Sequence, residues 1–217
     1  MTDPNPSLVR SIIPEIVDPL LGKSERTKFA IVQATIEVYA NRGREGATYE
    51  RIAKTAGISR PLVQKYFPDR EALFDLAMKF IRGGLQGLAV EALGKARGDS
   101  PERELESYVR SVFAWFLSHP AHARTMLGVI CHAAHSRVHR DSNTELADIG
   151  HERIAVLLAR FPGNRGARAR DLQESAKVIQ NLIVGSFVCV LTENLSLPFP
   201  RLEERTVRAC LAVAKGR

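Results

Sequence analysis

Long segments with apolar residues at helical spacing, separated by Gly and Pro, constrain this chain more than any other feature. In "ERTKFAIVQATIEVYANRG" one face carries Ile31, Ala34, Thr35, Val38 and Tyr39, and Gly43 is placed to end the helix. Similar segments continue towards the C-terminus, and strand-type alternation is absent over any useful length. The sequence therefore predicts an all-α fold with about nine helices.

The punctuation between these segments predicts where each helix begins and ends. His119-Pro120, the polar stretch around Arg140–Asn143, "FPGNRGARAR" and "LSLPFP" are the expected breaks in the C-terminal part. The helices are expected near residues 25–43, 48–56, 59–66, 69–93, 101–118, 120–138, 143–160, 170–195 and 202–214.

Composition and charge exclude several classes of protein. No apolar run approaches the roughly 18 residues that span a membrane, and the N-terminal stretch lacks the pattern of a signal peptide. Three scattered cysteines argue against a disulfide framework and favour a reducing cytoplasm. The net charge of +7 and the pI near 9.6 are compatible with an acidic partner such as DNA. No Gly-rich phosphate loop, HExxH motif or recognisable Ser-His-Asp set is present, so an enzyme is not expected.

The stretch "GISRPLVQKYF" places a proline near the start of a short helix. Ser59 is a favourable N-cap whose hydroxyl is expected to accept from the first turn, with Arg60 and Pro61 at the first two helical positions. Backbone N–H groups there have no partner within the helix, so proline is tolerated. Thr48 can cap the preceding helix, and Gly57 permits a sharp turn between the two. Two short helices joined in this way predict a helix-turn-helix.

The predicted second helix carries side chains suited to DNA. In a helix-turn-helix, the N-terminal residues of this helix reach base edges in the major groove. Arg can bind guanine and Gln adenine through two hydrogen bonds, whereas Lys and Tyr suit phosphates. The candidate DNA-binding residues are Thr48, Tyr49, Ser59, Arg60, Pro61, Leu62, Gln64, Lys65, Tyr66 and Arg70. On spacing alone, an ordinary solvated helix pair is an equal alternative.

Residues 31–74 closely resemble the DNA-binding domain of the tetracycline-repressor (TetR) family. The stretches "IVQATIEVYANRG", "GATYERIAKTAGIS" and "LVQKYFPDREALF" carry the resemblance through their order and spacing. The chain departs from the family in having Pro61 where a small residue is usual, Gln64 where Tyr is usual, and Arg70 where Lys is usual. The family's Tyr commonly contacts the DNA backbone, so Gln64 is a candidate to read a base instead.

The resemblance implies a homodimer that binds a palindromic double-stranded DNA operator and represses transcription until a small-molecule effector binds. No cofactor is expected. The domains expected are a flexible N-terminal tail over 1–22, a DNA-binding domain over 23–82, and a ligand-binding and dimerisation domain over 83–217. Activation is kept as an alternative to repression, and a nonspecific architectural DNA binder is a further alternative.

The last two helices are the expected dimer surface, as the resemblance implies. "AKVIQNLIVGSFVCVLTENL" is apolar over most of its circumference, and Gly185 and Ser186 allow close helix approach. The alternative is a fully buried central helix. An effector pocket between helices has as candidate lining residues Trp115, Phe116, Met126, Leu127 and Phe187. Plain core is the alternative for each of them.

All six histidines fall between His119 and His151. His132, His135 and His139 are spaced so that one helix face would carry all three, which is tolerable geometry for a transition metal. Three ligands on one helix seldom close a site unaided, so no metal is expected. A metal-responsive regulator that uses this region is kept as an alternative.

Overall fold

The computed structural model describes residues 22–134, 137–192 and 199–216, with the backbone alone at 137–139, 141, 142, 145 and 146. The expected N-terminal tail therefore lies outside the described residues, except for Gly22. The α-helices are α1 Lys23–Gly46, α2 Tyr49–Ala56, α3 Arg60–Tyr66, α4 Arg70–Lys95, α5 Pro101–Ser118, α6 Pro120–Ala133, α7 Arg137–Leu158, α8 Ala169–Thr192 and α9 Phe199–Ala214. A short 3₁₀ helix spans Pro162–Asn164.

The predicted all-α fold is confirmed, because the described residues form nine α-helices and contain no strand. Helix α1 was expected to end at Gly43; it continues to Gly46, with a break in its helical backbone at Gly43. The φ of 67° at Gly43 lies in the left-handed region, which glycine adopts without the steric penalty of a Cβ.

One expected helix break is wrong. The stretch around Arg140–Asn143 lies inside α7, and the chain instead leaves α6 after Ala133. The Arg140 guanidinium donates to the carbonyl oxygens of Ala133 and Ala134, each at 3.4 Å. Because the last carbonyls of a helix have no partner within it, this side chain caps the end of α6.

The chain divides into two compact units. The first comprises the described residues up to Gly87 together with His119–Val129. Its core joins α1, α2, α3 and the start of α4 through the fully buried side chains of Ile31, Ile52, Val63 and Leu73. The buried Thr125 hydroxyl donates to the carbonyl of Ile36 at 3.0 Å, which ties the first part of α6 to α1.

The second unit comprises Leu88–Ser118 and the described residues from Ile130 onwards. Its core contains Leu105 and Phe113 of α5, Leu158 of α7 and Ile179 of α8, each almost completely buried. Arg110 of α5 forms ion pairs with Glu203 at 3.0 Å and Glu204 at 2.7 Å, which join α5 to α9.

Helix α8 is more apolar than its burial within the chain requires. By length and composition, it is the one helix of the described residues that could cross a membrane. Only 22% of its most apolar 18-residue stretch is buried within the chain. Val178 is 46% exposed, and a Cβ added to Gly185 would meet no atom within 4 Å. Ser186 points inwards, since its hydroxyl lies 2.8 Å from the Thr206 hydroxyl of α9. The open face of α8 therefore contains Gly185 but not Ser186.

Candidate nucleic-acid interface

Helix α2 begins and ends as its sequence predicts. Thr48 occupies the N-cap, and its hydroxyl oxygen accepts from the backbone N–H of Arg51 at 3.4 Å. The inner face buries Ile52 and Ala53. Gly57 closes the helix with φ 68° and ψ 29°, the left-handed conformation of a common C-terminal motif. This conformation turns the chain sharply towards α3.

Helix α3 begins at Arg60, with Ser59 at the N-cap and Pro61 at the second position, as predicted. The expected hydroxyl bond of Ser59 is absent. An N-cap hydroxyl accepts from the second or third N–H of the helix. Pro61 has no N–H, and that of Leu62 already donates to the Ser59 carbonyl at 3.0 Å. The hydroxyl is therefore left without a donor in the first turn.

Val63 anchors α3 in the core and leaves the opposite face open. Val63 is fully buried, whereas Arg60, Gln64 and Lys65 are exposed. Arg60 and Gln64 are four residues apart, so their side chains lie on the same face of the helix. Leu62 and Tyr66 are half-buried and offer only part of their surface. The exposed polar face consists of Arg60, Gln64 and Lys65.

Tyr49 and Arg70, the first residues of α2 and α4, both make contacts inside the chain. The Tyr49 hydroxyl donates to the carbonyl of Phe67 at 2.7 Å. Partial burial, and then the nearby Asp69 carboxylate, raise the pKa of Tyr49 above its ordinary value. The Arg70 guanidinium lies 5.7 Å from the ring centre of Phe74, within the range of a cation–π contact.

A basic groove between α1 and α2 was not predicted from the sequence. Arg42 of α1 and Arg51 and Lys54 of α2 line it, together with uncharged residues and Glu37. Arg51 also donates to the carbonyl of Gly46 at 2.9 Å. Arg51 and Lys54 are three residues apart on one helix, so the sequence could have indicated that they lie on the same face. That Arg42 lines the same groove follows only from the packing of α1 against α2.

The five candidate effector residues are divided between the two units. Trp115, Phe116 and Phe187 belong to the second unit, where the rings of Trp115 and Phe116 lie 5.2 Å apart. Met126 and Leu127 belong to the first unit, and both are half-buried. The effector pocket therefore stays a prediction, with its aromatic members brought together in one unit.

The prediction that His132, His135 and His139 lie on one helix is wrong. Helix α6 ends at Ala133, so His132 and His139 lie on different helices, because Arg140 caps α6 at that point. His135 and the side chain of His139 lie outside the described residues. Within the described part of the chain, no three metal-ligating side chains are grouped. Metal binding by His132, His135 and His139 has no support from this geometry.

Comparison with known proteins supports this arrangement of helices. Residues 31–77 match the family described as bacterial regulatory proteins, tetR family. The HTH-type transcriptional regulator BetI of Escherichia coli O127:H6 is 30% identical over 95 residues, which cover 44% of this chain and 49% of that protein. The match thus spans about half the length of this curated relative.

Solved structures extend the similarity to the C-terminal helices. A transcriptional regulator from Rhodococcus sp. Rha1 is 19% identical and superposes with a TM-score of 0.75, covering 87% of this chain and 96% of that one. A transcriptional regulator from Saccharomonospora viridis, solved in complex with choline, is 16% identical with a TM-score of 0.66, covering 84% and 94%. At these identities the likeness shows the fold. Together, the match over residues 31–77, the capped helix pair and the exposed face of α3 identify the N-terminal helices as a DNA-binding region of the kind found in the tetR family of bacterial regulatory proteins.

Proposed function

We propose that this protein is a sequence-specific DNA-binding transcriptional regulator. The observation that carries the proposal is the exposed face of α3, where Arg60, Gln64 and Lys65 stand clear of the core that Val63 anchors. Arg60 and Gln64 are suited to base edges, and Lys65 is suited to a phosphate. No catalytic activity is proposed.

The proposed regulator acts as a homodimer through α8 and α9. A single helix-turn-helix contacts few base pairs, and two-fold pairing places two such helices about one DNA turn, roughly 34 Å, apart. The open face of α8, with Val178 and Gly185, supports a second copy of the chain as its cover. We place the protein in the cytoplasm, where an apolar helix surface would otherwise face water. Burial of this face in a dimer explains why α8 is so apolar.

We further propose repression that is relieved by a small organic effector. A structural relative was solved in complex with choline, which supports the idea that this fold accommodates a small organic molecule. An effector releases DNA when it binds the DNA-incompetent form better than the competent form. The two remaining candidates are a metal-responsive regulator and an architectural DNA binder, and neither has a specific observation in its favour.

The proposal is tested by selecting bound sequences from a random DNA pool with the purified protein at near-physiological salt. A two-fold symmetric motif, bound at least about 10³-fold more tightly than random DNA, is the expected result. Affinity that depends on salt but not on sequence would support the architectural binder instead. The selected operator then serves to screen organic compounds and metal ions for release.

A further inference from the structure

Phe116 of α5 and Phe187 of α8 stack face to face in the second unit. Their ring centres are 3.4 Å apart and their planes differ by 8°. Phe113 packs on Phe187 with a centre distance of 4.7 Å. Aromatic faces carry negative charge density, so a direct sandwich is less favourable than offset or edge-to-face contact. The packing of α5 against α8 therefore holds these two rings in an arrangement that they do not prefer.

Phe116 is the more exposed ring of the pair. Phe116 is half-buried, and its neighbour Leu117 is 56% exposed. Phe187 is only 4% exposed and closes the inner side. The surrounding rings of Phe113, Trp115 and Phe199 present hydrocarbon surface, and burying an unpaired charge among them would be costly. A ligand at this position should be apolar and uncharged.

We propose that a flat, uncharged aromatic molecule binds between Phe116 and Phe187 and separates their rings. Each face of the ligand would then stack on one phenylalanine, with freedom to take an offset position that the sandwich lacks. This proposal rests on the proposed function, since it names the class of effector for the predicted pocket. Of the five residues predicted to line the effector pocket, Phe116 and Phe187 would contact the ligand.

The test uses 2-naphthol, which is neutral at neutral pH, and its saturated analogue decahydro-2-naphthol, which has the same carbon skeleton but no aromatic face. Calorimetric titration of the full-length protein should show binding of 2-naphthol at least about tenfold tighter than binding of the analogue. The chain contains one tryptophan, Trp115, whose ring centre is 5.2 Å from that of Phe116. Its single indole N–H resonance should shift when 2-naphthol binds.

Two variants and a matched control locate the site. Phe116→Leu should weaken 2-naphthol binding about tenfold, and Phe116→Tyr, which keeps the ring, should bind within about twofold of wild type. Phe80→Leu removes an aromatic ring of similar burial that packs against Phe29 in the first unit, and it should leave binding unchanged. Thermal unfolding of each variant confirms that it is folded. Equal binding of the two ligands, or unchanged binding to Phe116→Leu, would overturn the proposal.

A second measurement separates this inference from the proposed function. Addition of 2-naphthol to the complex with the selected operator should weaken DNA binding in the wild type and have less effect in Phe116→Leu. Binding of 2-naphthol without sequence-specific DNA binding would leave the aromatic site standing and contradict the regulator. Selection of an operator without binding of 2-naphthol would support the regulator and contradict the aromatic site.

Discussion

Tyr49, the first residue of α2, donates its hydroxyl to the carbonyl of Phe67, which directly follows α3, at 2.7 Å. This bond joins the start of one short helix to the end of the other. While the Tyr49 hydroxyl donates to Phe67, its proton is not available to a DNA phosphate, which can only accept a hydrogen bond. A residue proposed as a DNA contact therefore also holds the position of α3.

Removing this bond should loosen the helix pair. Tyr49→Phe is expected to lower the free energy of unfolding by about 0.5–1.5 kcal/mol, because the Phe67 carbonyl loses its side-chain donor. Urea unfolding measures the change. Unchanged stability with weaker operator binding would show that the hydroxyl works on DNA rather than within the chain.

Arg60 is expected to read a base, whereas Lys65 is expected to hold a phosphate. Arg60→Ala should cost about 1–3 kcal/mol of binding and relax specificity at one position of each half-site. Lys65→Ala should weaken all sequences alike and reduce the salt dependence of binding. Repeating the selection with both variants compares them directly. Uniform weakening by Arg60→Ala would assign Arg60 to a phosphate instead.

Gly185 offers a direct test of the dimer. Gly185→Glu should place a charge in the proposed interface and convert dimer to monomer, because burying an unpaired carboxylate is strongly unfavourable. Gly94→Glu is the matched control, since Gly94 also lies in a helix with no atom within 4 Å of an added Cβ. Sedimentation measures both variants. A dimer that survives Gly185→Glu would show that the interface lies elsewhere.

His122 should make stability depend on pH. Burial, and then the neighbouring His119, lower the pKa of His122 from 6.5 to about 4. The two imidazoles stack with centres 5.2 Å apart, and the rings of Phe80 and His122 meet edge to face with centres 6.0 Å apart. Between pH 6.5 and about 4, His122 binds a proton in the unfolded chain but not in the folded chain. The free energy of unfolding therefore falls as the pH is lowered.

Because His122 is only partly buried, we expect this loss to be about 1–2 kcal/mol. Urea unfolding of the wild type and of His122→Gln between pH 7 and pH 4.5 tests it. The variant should lose less stability than the wild type over this range. Parallel loss in both proteins would mean that His122 does not contribute.

Local sequence was sufficient for much of the helix pair. Thr48, Gly57 and the position of Pro61 act through the backbone of residues a few positions away, so their roles follow from spacing and stereochemistry. The apolar periodicity of the remaining segments likewise predicted an all-α chain. These signals are short in range, and distant packing did not change them.

Tertiary structure decided the rest, because it depends on side chains that are distant in sequence or on competition for one backbone group. The Ser59 hydroxyl lacks a donor because the Leu62 N–H is already bonded, and Arg140 ends α6 by reaching back to Ala133. No local pattern indicates that the Ser186 hydroxyl contacts that of Thr206 or that the rings of Phe116 and Phe187 stack. The sequence by itself determined the all-α class, the helix pair and the face of α3, and the packing of the helices decided which side chains remain open to a partner.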